Sequence, residues 1–226
     1  MCDRAVWEPL LPALQPLADC LVVDHGEADS LVAMARQVLA QAPPRFAIAG
    51  HSMGGRVALE VLRLAPERVE RVALLDTGYL PRAAGVAGEQ EAAKRQVLLD
   101  LARSQGVRAM AQEWVQGMVQ PQRLSDTALI DRIVGMFERK SAEVFARQIR
   151  ALLDRPDGSD VLRAIRVPAL VLVGAEDSWS PPAQHRDLAA LIPATPEAVV
   201  VPDCGHMSPM ERPEAVAGAL GRWLRL

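Results

Sequence analysis

Two kinds of apolar run alternate along the first third of the chain. Solid apolar blocks stand at Cys20-Leu21-Val22-Val23, Phe46-Ala47-Ile48-Ala49 and Val72-Ala73-Leu74-Leu75. Before and between them, residues 7–17, 31–40 and 53–64 read as helices, the second with an N-cap offered by Asp29-Ser30. After Asp76 the alternation stops, and from about residue 79 to 160 the pattern is helical only, with helices expected over 89–104, 107–117, 125–138 and 141–153. Pro156-Asp157-Gly158 marks the return; a strand at 167–173, a helix near 183–191, a strand at 198–201 and a closing helix at 213–224 follow. Strands that are solidly apolar, without period-2 alternation, belong to a parallel sheet buried on both faces. The expected architecture is α/β: a mostly parallel sheet flanked by helices, with a core of residues 1–78 and 161–226. A helical cap, residues 79–160, is inserted after the third recognisable strand and covers the C-terminal edge of the sheet.

Reactive side chains collect where these strands end. Gly50-His51-Ser52-Met53-Gly54-Gly55 lies directly between an apolar strand and the helix that opens Val57-Ala58-Leu59. A serine Oγ becomes an exposed nucleophile when thrust out of so tight a strand-to-helix turn, and Gly50 and Gly54 are expected to spare that turn a clash. The same turn leaves the Met53 amide free at a helix N-terminus, where it can meet an oxyanion. A nucleophilic serine needs a base and the base needs a carboxylate. Of the four histidines, His206 follows the strand Val199-Val200-Val201 on a Gly-containing loop and is the candidate base. His51 sits inside the turn and is not expected to reach back to Ser52. His185 reads as a solvated histidine on a surface helix. For the acid, Asp177 follows the strand ending at Gly174 and is favoured; Asp76, at the end of the preceding strand, is the alternative and Glu176 a third choice.

Four blocks together are similar to those of α/β-hydrolase fold proteins of the small esterase, lactonase and C–C hydrolase group. They are Gly50-His51-Ser52-Met53-Gly54-Gly55, Pro66-Glu67-Arg68-Val69, Gly174-Ala175-Glu176-Asp177, and Gly205-His206-Met207-Ser208-Pro209-Met210-Glu211-Arg212-Pro213-Glu214. The resemblance covers nearly the whole chain, and the order Ser52, Asp177, His206 matches the family's Ser…Asp…His order, which Asp76 would satisfy equally. It also implies a buried strand and a His-Gly pair, supplying a second oxyanion amide, ahead of the segment resembled by Met1-Cys2-Asp3-Arg4-Ala5-Val6-Trp7. These N-terminal strands are expected to be missing here. His25-Gly26 matches the family's next loop instead. The gap would then close by pairing of residues 20–23 with the strand at 46, by another segment, or by a partner subunit. The expectation is a weakened catalyst that is less stable than its relatives or a homodimer.

Composition narrows the picture further. Half of the 226 residues are hydrophobic and the net charge is −3, so no polyanionic partner is implied. Of 25 basic residues, two are lysine (Lys94 and Lys140) and 23 arginine, with no basic run interleaved with aromatics, so nucleic-acid binding has nothing to rest on. Cys2, Cys20 and Cys204 are too scattered for a disulfide framework or zinc site, which suits a reducing cytoplasm. No apolar stretch approaches a membrane span.

The expectation for function is a serine hydrolase acting on a carboxylic ester or related acyl compound through an acyl-enzyme, with neither metal nor organic cofactor. The alternatives are a lactone or carbon–carbon bond hydrolase with the same triad, or a binding protein on this fold without turnover. Met110, Trp114, Met118, Met136, Phe137 and Phe145 form an apolar set in the cap. Trp114, and Trp179 two residues beyond Asp177, are the candidate substrate-binding residues, pointing to a small, largely apolar ester or acyl substrate. A histidine base predicts activity rising through the pKa of a free or slightly raised imidazole.

Overall fold

The computed structural model describes residues 1–193 and 197–226. Its centre is a four-stranded, all-parallel sheet in the order β1 (Phe46–His51), β2 (Val69–Leu75), β3 (Ala169–Gly174), β4 (Val199–Val201). The solid apolar strands have the cause expected of them. Along β2, Val72 and Leu74 face one core while Ala73 and Leu75 face the other, and Val171 and Leu172 of β3 divide in the same way. Both faces are covered along Val72–Leu75 and Ala169–Val173, so every position there is apolar, while Glu70 and Arg71 at the start of β2 reach solvent.

One face carries α2 (Leu31–Gln41), α3 (Met53–Leu64), α8 (Ser159–Ala164) and α9 (Pro182–Leu191). The other carries α1 (Leu11–Leu14) and α11 (Pro213–Leu224), which follows the short α10 (Ser208–Glu211). Ser30 caps α2, its hydroxyl accepting from the Ala33 amide at 3.2 Å.

Between β2 and β3 the chain is helical throughout: α4 (Val86–Gln105), α5 (Val107–Trp114), α6 (Thr127–Glu138) and α7 (Ala142–Leu153), with α8 leading back to the sheet. Asp126 and Ser141 cap α6 and α7 through the amides of Leu129 and Val144. This insertion has a core of its own, in which Met110, Met118, Met136, Phe137 and Phe145 are buried together with Met207 and Met210 from beyond β4.

One expected strand does not form. Residues 20–23 form no regular element: Val23 packs on the core, Leu21 is 58% exposed, and neither pairs with β1. A strand is stabilised through its ladder, and an apolar run with no neighbour alongside has no reason to become one. Among the described residues β1 pairs only with β2, leaving its other edge open.

All four strands point the same way, so their C-terminal ends share one edge. Ser52 follows β1, Asp76 follows β2, Asp177 lies three residues beyond β3 and His206 five beyond β4. In open α/β sheets this is the edge where ligands bind.

Candidate active site

Ser52 sits between β1 and α3 with φ 55° and ψ −119°, in the left-handed region that side chains avoid. Two neighbours hold it there. Its amide donates to Leu75 O at 2.9 Å, and Thr77 Oγ1 donates to Ser52 O at 2.6 Å. Gly50 is required because a Cβ there would lie 2.2 Å from Gly54 O. Gly54, expected to carry the second requirement, does not: a Cβ there would meet nothing within 4 Å. The residue that must be glycine is Gly55, whose Cβ would lie 2.6 Å from the Thr77 side chain. Met53 opens α3, so its N–H has no intrahelical carbonyl to meet.

His206 Nε2 is 2.8 Å from Ser52 Oγ, and its Nδ1 is 2.8 Å from Asp177 Oδ2. The other Asp177 oxygen accepts from the amides of Trp179 and Ser180, both at 2.9 Å. With Nδ1–H donated to a carboxylate, Nε2 is left as the acceptor for the serine hydroxyl. Burial alone would raise the Asp177 pKa, but the His206 charge and the bonds from His206, Ser180 and Trp179 outweigh it and hold the carboxyl below its usual range. Burial likewise pulls His206 down; the charge and hydrogen bond of Asp177, with Asp76 and Glu211 beyond, more than offset this and leave it above an ordinary imidazole.

The rival acids serve other atoms. Asp76 is fully buried with φ 47°; Oδ1 accepts from the Gly174 amide at 2.9 Å and Oδ2 from the Ser208 hydroxyl. Burial pushes it up to about 8. Glu176 Oε2 accepts from the Cys204 amide at 2.8 Å, fastening the Asp177 loop to the His206 loop. Cys204 is buried within that junction, and burial raises its thiol far above the ordinary range.

The other histidines are structural. His51 Nε2 donates to His206 O at 2.7 Å, away from Ser52. His185 is not on a solvated face: it is fully buried, accepting the Thr77 amide at Nε2 (2.9 Å) and donating from Nδ1 to Pro181 O. The missed signal is spacing. Leu188, Ala189 and Ile192 stand three, four and seven residues on, all buried, which places His185 on the packed stripe of α9. The Gly26 amide in the His25-Gly26 turn goes to Asp24 Oδ1 at 2.9 Å.

The two expected pocket residues meet. Trp179, 39% exposed, has its ring 4.9 Å from that of His206, and Trp114 stacks on Trp179 at 5.6 Å. Phe137 and Phe145 continue the ladder at 5.3 and 5.1 Å from Trp114. One group of the site carries no local signal in the sequence: Glu211, 2% exposed, which accepts from three backbone amides around His206.

Comparison with known proteins gives one family. A model described as the alpha/beta hydrolase family matches residues 4–219. The chain is 32% identical over 206 residues to a pimeloyl-[acyl-carrier protein] methyl ester esterase of Photobacterium profundum, covering 84% of this chain and 78% of that protein. It is also 32% identical over 188 residues to the dihydrolipoyllysine-residue acetyltransferase component of an acetoin cleaving system of Pseudomonas putida. That match takes in 79% of this chain but only 45% of the relative's length. Among solved structures, a thermophilic esterase from Thermogutta terrifontis superposes with a TM-score of 0.89 at 28% identity, over 99% of this chain and 86% of the other.

Proposed function

This chain belongs to the alpha/beta hydrolase family and is a hydrolase, and on that premise we propose that it cleaves a carboxylic ester of a small, largely apolar substrate through an acyl-enzyme on Ser52. The observation that carries the reading is the unbroken relay from Asp177 Oδ2 through His206 to Ser52 Oγ, with both links at 2.8 Å.

Ser52 Oγ attacks the ester carbonyl as His206 Nε2 takes its proton, and Asp177 stabilises the imidazolium. The carbonyl oxygen becomes an oxyanion that accepts from the Met53 N–H. Collapse breaks the bond to the alcohol oxygen, which takes the proton back from His206 and leaves. Water, deprotonated by the same nitrogen, then attacks the acyl-enzyme; the carboxylic acid departs and the proton returns to Ser52. Apart from water these steps draw only on groups of the chain, and we propose no metal or organic cofactor for them. Trp114 and Trp179 supply an apolar wall beside His206, which supports an uncharged acyl portion.

Hydrolysis of short-chain p-nitrophenyl esters tests this. Ser52→Ala should lose at least about 10⁴-fold in kcat; full activity in the variant would remove Ser52 from the mechanism. A parallel panel of lactones sets the substrate class. A hundredfold preference for lactones, roughly 2.7 kcal/mol in transition-state binding, would replace the linear ester by a cyclic one.

We retain the homodimer, on the open edge of β1, as the proposal for assembly; sedimentation giving only monomer at micromolar concentration would remove it. We retain the cytoplasm as compartment on three cysteines of which none is paired. No helix among the described residues is long and apolar enough to cross a membrane.

A further inference from the structure

The loop that carries His206 rests on the helical insertion as well as on the sheet. The contact is a strap of four residues, Gly117 to Gln120, that follows α5. The His206 amide donates to Met118 O at 2.6 Å. A Cβ on Gly205 would lie 2.6 Å from Gln120 N and from Val119 C, so the two backbones touch and only glycine fits between them. At its other end the strap meets the Asp177 loop: a Cβ on Gly117 would stand 3.0 Å from Trp179 Nε1, and Ser178 Oγ faces Gly117 O at 3.4 Å.

Glu211, at the end of α10, joins strap and loop. Oε2 accepts from the Gln120 amide at 2.8 Å. Both oxygens accept from the Gly205 amide at 3.1 Å, and Oε1 from Met207 at 3.0 Å. One donor therefore comes from the insertion, and the other two flank the imidazole. Burying a carboxylate is costly, and an apolar side chain of similar size would serve mere packing better. Three convergent amides from two separate segments give the charge a task that packing does not.

We propose that Glu211 is a positioning residue which locks the His206 loop to the Gly117–Gln120 strap, so that the placement of the imidazole against Ser52 follows the position of the helical insertion. The inference rests on the serine-hydrolase reading. Its consequence is a coupled site: a group seated against Trp114 and Trp179 presses on the element that sets the base, and the insertion cannot lift at the strap without drawing His206 away. Glu211 also faces Arg123 and the Cys204 thiol, while Asp177, Asp76 and His51 surround the ring. Its charge is one of those that raise the imidazole pKa.

Two variants test the lock. Glu211→Gln keeps the size but removes the charge and turns an NH₂ toward backbone amides. By NMR titration the His206 pKa should fall, because one of the charges that raise it is gone. kcat on a p-nitrophenyl ester should fall roughly ten- to a hundredfold with KM unchanged, as for a misplaced base. Gln120 has φ −56°, which proline adopts, so Gln120→Pro takes away the strap's N–H to Glu211 together with a buried side chain and leaves the charge of Glu211 in place. It should lower kcat in the same way while leaving the His206 pKa in place, because Glu211 keeps its charge. A Glu211→Gln protein with wild-type His206 pKa and kcat, and only a lower melting temperature, would reduce Glu211 to a structural strut. Should Glu211→Gln not fold, wild-type kcat in Gln120→Pro would overturn the lock. The function reading fails separately, by Ser52→Ala retaining activity, and the NMR titration does not depend on turnover.

Discussion

Asp177 shows how a single residue sets the state of its neighbour. Its Oδ2 holds the Nδ1–H tautomer of His206, and its other oxygen is fixed by two amides, so the carboxylate cannot turn away. Asp177→Asn would keep the shape but present an NH₂ or a neutral oxygen to Nδ1, favouring the wrong tautomer; kcat should fall about 10⁴-fold. The same carboxylate sets the acid limb of the pH profile. The proposed base acts only when neutral, and its pKa is raised, so activity in wild type should rise through a midpoint above the free-imidazole value near 6.5. A profile flat from about pH 5 to 9 would count against a histidine base. Much at this scale was legible in advance, since Ser52, Asp177 and His206 each follow an apolar run that had to be a strand. Glu211 was not. Its role comes from two segments that lie far apart in the chain, and no local pattern announces them.

At the scale of elements, helix ends and strand partners decide what forms. Arg68, just before β2, closes the C-terminal end of α2 from a distance. Its Nη1 donates to Leu39 O at 2.9 Å, Nη2 to Ala42 O and Pro43 O at 2.9 and 2.6 Å, and Nε to Pro44 O at 3.1 Å. The guanidinium also lies over the Phe46 ring at 5.5 Å. These carbonyls have no intrahelical partner, and a fork of five donors suits them as a point charge does not. Arg68→Lys should therefore recover little of the loss in Arg68→Ala, both costing about 2–3 kcal/mol in urea unfolding. A lysine variant as stable as wild type would show that charge alone suffices. The segment at residues 20–23 teaches the opposite lesson. Composition made it a strand, but a strand is a relation between two segments, and composition describes only one.

The whole molecule carries several buried groups whose protonation folding alters, and their signs can be worked through. His51, His185 and His25 are pushed down by burial, His51 to about 3. Below about pH 6.5 the unfolded chain binds protons that the native one refuses, so stability is lost as pH falls. Asp76 and Glu211, raised by burial, oppose this from about pH 4 upward, two groups against three. Above about pH 6.5 the histidine effect fades, and Asp76 up to about 8 and the raised His206 still hold protons that the unfolded chain has released, against the single buried Met1 ammonium, which burial lowers. Stability then falls as pH rises, at about 1.4 kcal/mol per pH unit for each net proton. The melting temperature should peak a little above pH 6.5, once the unfolded histidines have lost most of their protons. A melting temperature rising steadily from about pH 5 to 8 would contradict this assignment of protons.

The sequence by itself determined what depends on a short window of chain. Solid apolar runs made β2 and β3 parallel strands buried on both faces. The glycines around Ser52 made its turn, and helical spacing made the insertion between Asp76 and the strand at Ala169. Tertiary structure decided what depends on which segments become neighbours. It gave Asp76 to Gly174 and Ser208 and left Asp177 to His206. It moved the glycine requirement from Gly54 to Gly55, because Thr77 stands beside one and not the other. It buried His185, withheld a ladder from residues 20–23, and brought the Gly117–Gln120 strap against Gly205. Each of these outcomes is a contact between residues distant in sequence, and a contact exists only once the chain has folded back to make it.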